Sequence, residues 1–119
     1  MTTRTVLTAV TIVLGSLTTS GTALAAEPTC DRGEFCAWEG TSYTGAARRL
    51  DLESANPGEC IPLPENLVAR SFANRLQRTV SVYQGQTCST EADFTTYPGG
   101  GTYVPEAPFV VRAVQVWES

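Results

Sequence analysis

Four cysteines carry the most definite chemistry in this sequence: Cys30, Cys36, Cys60 and Cys88. An even number of thiols in a short chain offers either disulfides or a metal site. The chain has no histidine, so zinc would need all four thiolates, and no Cys-x-x-Cys pair is present to supply them. Two disulfides are therefore expected. Three pairings are open in principle. Cys30 with Cys36 and Cys60 with Cys88 is favoured, because the first two bracket only the short turn Asp31-Arg32-Gly33-Glu34. The lack of histidine also removes any His-based catalytic triad. Paired carboxylates remain at Glu91 and Asp93 and at Asp51 and Glu53. On a strand, such i, i+2 pairs share a face, as two-carboxylate chemistry would require. Solvated surface acids are the ordinary explanation for them. The inventory points away from an enzyme.

The compartment follows from the first residues. Arg4 precedes an apolar run from Val6 to Leu14 and then Ala23-Leu24-Ala25. This is the layout of a secretory signal peptide over residues 1–25, leaving a domain at 26–119. The run is too short and too rich in threonine to span a bilayer. Glu27-Pro28-Thr29 stand before Cys30, so no lipid-attachment cysteine follows the cleavage site. A released, extracellular protein is expected, where disulfides persist. The formal net charge is −4, and all eight cations are arginine. That balance argues against nucleic acid or an anionic membrane as a partner. Arg48, Arg49, Arg70, Arg75 and Arg78 read as a solvated strand face with local ion pairs. A monomer is expected.

Short strands with frequent turns must position these residues. Glu34–Glu39 and Ala46–Leu52 read as strands around a Gly40–Gly45 turn, with Leu50 and Leu52 on one face. Glu53–Asn66 reads as an irregular link, since Pro57, Pro62 and Pro64 argue against a central strand. Leu67–Tyr83 looks hairpin-like, with a polar turn near Asn74–Arg78 and Val80 and Val82 on one face of its second run. It is read as the join between two halves of one domain. Gln84–Asp93 is a polar loop carrying Cys88. Phe94–Tyr97 and Thr102–Val104 are short strands around the Pro98-Gly99-Gly100-Gly101 turn. Phe109–Trp117 closes the domain, with Val110, Val114 and Val116 expected in the core. No helical periodicity follows the signal peptide. An all-β Greek-key sandwich is expected, as one small domain with two disulfides.

Trp38-x4-Tyr43-x-Gly45 resembles the aromatic-glycine signature of βγ-crystallin Greek keys. The resemblance implies that the aromatic packs over a folded hairpin, that Gly45 takes a strained turn, and that Ser71 pins the hairpin. The strand ending at Tyr83 would open a second copy. There Cys88 stands in place of the second aromatic, Thr90 in place of the glycine and Ala113 in place of the serine. Within that fold the chain is similar to the actinobacterial secreted peptidase inhibitors of family I36. Cys30-x5-Cys36 and Ala69-Arg70-Ser71-Phe72-Ala73-Asn74 carry the likeness.

The resemblance implies a non-enzymatic inhibitor of an extracellular peptidase, in the first instance a metalloprotease, acting by non-covalent occlusion of the active site. It implies that the protease faces a disulfide-braced loop after Tyr83, here Gln86, Thr87, Cys88, Ser89 and Thr90. No second cysteine follows Cys88 within a few residues, so the small closed loop of the family prototype is missing. The proline-rich stretch Pro57–Pro64 is a second candidate surface. The calcium pattern of the crystallins falls on Asn66–Ser71, where Leu67 and Arg70 offer no oxygen ligand. No metal or other cofactor is expected. The competing expectation is a non-inhibitory secreted binding, structural or killer-toxin-like antimicrobial module on the same scaffold.

Overall fold

The computed structural model describes residues 28–119. The expected signal peptide, 1–25, lies outside the described residues. Eight strands form among the described residues: β1 Glu34–Trp38, β2 Ala47–Asp51, β3 Cys60–Pro62, β4 Ser71–Asn74, β5 Val80–Tyr83, β6 Phe94–Tyr97, β7 Thr102–Val104 and β8 Ala113–Val116. They build two four-stranded antiparallel sheets in the orders β2-β1-β4-β7 and β3-β8-β5-β6. Each half of the chain thus keeps three strands in one sheet and gives its third to the other. β3 joins the second sheet and β7 joins the first. This reciprocal exchange is consistent with the Greek-key arrangement expected from the sequence.

Period-two alternation explains which side chains meet between the sheets. Phe35, Ala37 and Phe72 of the first sheet face Val80, Val82, Val114 and Val116 of the second, all fully buried. Phe35 stacks on Phe72 at 5.6 Å, and Tyr97 meets Phe72 edge-on at 5.3 Å. Aromatic pairs of this geometry add to the burial of their area.

The structure corrects three local expectations. Leu67–Tyr83 is not a hairpin, because β4 and β5 lie in different sheets. The crossover between them is organised by the buried Asn74. Its amide donates to the carbonyls of Arg78 and Pro98 at 3.2 and 3.1 Å, and its Oδ1 accepts the Leu76 N–H at 3.1 Å. The link Glu53–Asn66 contains a strand, β3, which pairs with β8. β3 lies at a sheet edge, the position where proline is tolerated. Val111, not Val110, is fully buried, held by reciprocal backbone hydrogen bonds with Ala69. A one-residue slip moves a side chain to the opposite face.

Candidate functional site

Outside the shared core, the two sheets carry different devices. On the first, Trp38 packs edge-on against Tyr43 at 5.0 Å, over the turn Thr41–Tyr43. Ser71 is buried beneath that turn. Its hydroxyl accepts the Tyr43 N–H at 2.9 Å and donates to the Gly40 carbonyl at 2.6 Å. Gly45 closes the turn at φ +82°, a conformation in which a Cβ is strained. The Cys30–Cys36 disulfide, with Cα atoms 5.9 Å apart, ties residues 30–33 across the outer face of β1. Arg49 pairs there with Asp31 and Glu34 at 2.7 and 3.0 Å. The backbone N–H of Asp31 and the Arg49 guanidinium hold the Glu34 carboxyl below its ordinary range. Burial, and secondarily Tyr103, pushes the Tyr43 phenol up. These contacts account for Trp38, Tyr43, Gly45 and Ser71 as parts of a folded hairpin.

The second sheet carries the exposed loop. β5 ends at Tyr83, and residues 84–93 leave the sheet before β6 begins. The base is closed by the Gln84 N–H donating to the Asp93 carbonyl at 2.9 Å. Arg112 clamps it from the side: its backbone N–H donates to the Tyr83 carbonyl at 2.8 Å and its guanidinium to the Gln84 carbonyl at 3.2 Å. Cys88 is bonded to Cys60, with Cα atoms 5.8 Å apart. Its φ of +58° is unusual for a residue with a Cβ. Gln86, Thr87 and Thr90 are exposed, whereas Cys88 and Ser89 are half-buried. The Ser89 hydroxyl accepts the Glu91 N–H at 3.1 Å. The five residues expected to face a protease thus form one braced, outward loop. Tyr83 lies beneath, buried, its hydroxyl donating to Gln115.

The second candidate stretch, Pro57–Pro64, is largely absorbed into β3 and its flanks. A tight turn begins at its last residue, Pro64, within what the sequence suggests is an irregular link. Pro64 and Leu67 are joined by a 3.1 Å backbone hydrogen bond, and Glu65 and Asn66 between them have φ of +56° and +57°. Two successive positive φ values are those of a type I′ turn, in which Asn is favoured and Glu is not. Arg48 pairs with Glu65, and the Gln86 amide donates to Asn66 Oδ1 at 3.1 Å. The turn therefore sits beside the Cys88 loop. The partial sequence signal is Asn66, two residues after Pro64, since Asn tolerates the left-handed region; Glu65 gives none.

Glu91 and Asp93 are exposed and lie in the loop rather than on a strand. Glu53 likewise lies past the end of β2 and accepts the Gln77 N–H at 3.1 Å. Neither carboxylate pair is held at a shared strand face. One tight group of cysteines and acids occurs among the described residues, Cys30, Glu34 and Cys36. Its two sulfurs are bonded to each other, so no thiolate is available to a metal there. In the Asn66–Ser71 stretch, the Arg70 guanidinium donates to the Glu39 carbonyl at 3.1 Å, and the Ser71 hydroxyl is engaged by the hairpin.

An all-β domain of this size with two disulfides belongs to the class of small scaffolds whose limited core is supplemented by covalent staples. The model of peptidase inhibitor family I36 matches residues 23–95, more than half of the chain, and the chain belongs to that family. No curated protein and no solved structure gives a significant match. The matched residues end within β6, yet β7 completes one sheet and β8 lies between β3 and β5 in the other. The folded unit therefore extends past the matched segment.

Proposed function

We propose that this protein is a secreted, monomeric inhibitor of extracellular metallopeptidases, acting without covalent chemistry by lodging the loop Gln86–Thr90 in the active-site cleft. Family membership supplies the peptidase as partner. The observation that carries the mechanism is the bracing of Cys88. The disulfide to Cys60, the closed base at Gln84 and Asp93, and the Arg112 clamp order this exposed loop before any partner arrives. A loop ordered in advance binds without the entropy cost of being immobilised. Neither a catalytic histidine nor a cofactor enters this reading.

The test is titration of the oxidised protein against a thermolysin-type metallopeptidase, with a subtilisin-type serine peptidase in parallel. Stoichiometric loss of the metallopeptidase activity is expected, weakened by bulky or charged substitutions at Thr87 or Ser89. Rapid cleavage of the protein, or full activity of both enzymes at excess inhibitor, would instead mark a non-inhibitory binding module on this scaffold.

A further inference from the structure

The register of the second sheet brings one more residue to the loop. Pro62 of β3 lies opposite Ala113 of β8, Ala113 opposite Tyr83 of β5, and Tyr83 opposite Phe94 of β6. This row marks one end of the sheet. Just past it, the Pro64–Asn66 turn leaves β3 and the 84–93 loop leaves β5, while Phe94 opens β6. The Gln86–Asn66 hydrogen bond joins the turn to the loop, and the Gln84–Asp93 hydrogen bond joins the loop to Phe94. Turn, loop and aromatic ring therefore form one continuous edge.

Phe94 is 45% exposed, and Tyr103 is the other large exposed hydrophobic among the described residues. They lie on different sheets. Tyr103 has local partners: its hydroxyl accepts the Arg75 guanidinium at 3.0 Å, and its ring meets Tyr43 edge-on. Phe94 has no polar handle. Its ring stacks on Tyr83 at 5.6 Å and 15°, while the Tyr83 hydroxyl is held by Gln115. The Gln115 amide is fixed in turn by the Gly58 carbonyl at 2.8 Å. An apolar ring is thus held rigidly from behind and open in front. Aromatic side chains, Phe among them, are enriched at protein interfaces, and a few buried anchors there carry most of the binding energy.

Resting on the inhibitor reading, we infer that Phe94 is the apolar anchor of the peptidase contact, with the Glu65–Asn66 turn flanking the loop on its other side. The partner this surface fits is a peptidase whose cleft carries an apolar side-chain subsite beside the catalytic centre. Glu91 and Asp93, both exposed, lie in the loop just before the ring.

The experiment compares the wild-type protein with Phe94→Ala, Phe94→Thr and Tyr103→Ala, all oxidised, in peptidase titrations with melting recorded for each. Threonine suits an edge strand, so Phe94→Thr keeps the test open if the alanine variant folds poorly. Loss of an anchor weakens inhibition by about thirty-fold or more. Both Phe94 variants should show this, while Tyr103→Ala inhibits like the wild type. Among inhibited peptidases, those selecting apolar side chains should be bound tightest. Folded Phe94 variants that inhibit like the wild type, or an equal loss in Tyr103→Ala, would overturn the inference and leave the inhibitor reading standing. A wild-type protein that inhibits no peptidase overturns both.

Discussion

Removing the two disulfides one at a time separates stability from inhibition. The Cys60–Cys88 bridge spans 28 residues and the Cys30–Cys36 bridge only 6. On the chain-entropy model these loops stabilise by about 3.6 and about 2.2 kcal/mol at 25 °C. Cys60→Ser/Cys88→Ser should therefore cost about 1.4 kcal/mol more than Cys30→Ser/Cys36→Ser, read by urea unfolding under non-oxidising, metal-free conditions. Against the roughly 5–15 kcal/mol total of a domain, both variants retain a folded population at low temperature. Inhibition should divide them further. The Cys60–Cys88 bridge braces the proposed contact loop, and re-ordering even two freed residues costs about 2 kcal/mol or more, roughly a thirty-fold loss of affinity. The Cys30–Cys36 bridge lies on the other sheet and should leave affinity within about two-fold, since remote stapling does not enter the binding step. The assay is a peptidase titration at a temperature where both variants are folded. A folded Cys60→Ser/Cys88→Ser protein that inhibits like the wild type would refute the reasoning, as would an equal loss from Cys30→Ser/Cys36→Ser.

Other outcomes follow from the same contacts. Ser71→Ala strips the Tyr43 N–H and the Gly40 carbonyl of their shared partner and should destabilise by about 2 kcal/mol in chemical denaturation, with inhibition unchanged. Gly99→Ala places a Cβ 2.5 Å from the Gln77 carbonyl carbon and 2.6 Å from the Arg78 nitrogen. A backbone clash of that kind costs about 3 kcal/mol, and melting should fall by more than roughly 10 °C. Glu34 gives a pH signature. Its folded pKa lies below the ordinary value of 4.5, so its contribution is present above that pH and is lost as pH falls through the folded value. Wild-type stability should drop more steeply below pH 4.5 than that of Glu34→Gln, as followed by urea midpoints against pH.

Much of the fold and the Cys30–Cys36 staple were legible because their signals are local, and pairing those two cysteines leaves Cys60 with Cys88. Cys30 and Cys36 bracket a turn, and the structure joins them. Val80 and Val82 alternate with polar residues, and both face the core. What could not be read was set by contacts distant in sequence. Nothing in the alternation of β4 and β5 says that they enter different sheets, since that depends on Asn74 reaching Arg78 and Pro98. β3 hides among prolines because only its edge position tolerates them. At the candidate site the loop around Cys88 was visible through its cysteine. The Glu65–Asn66 turn and Phe94 were not, since both gain their meaning from the register that sets them beside that loop.

The most direct test of the central claim is a competition. A metallopeptidase is titrated with the oxidised protein while a small peptide substrate reports the active site. Occlusion by the braced loop predicts a one-to-one endpoint and an apparent affinity that weakens as substrate concentration rises. Full turnover of the small substrate at saturating protein, or inhibition indifferent to substrate concentration, would contradict it.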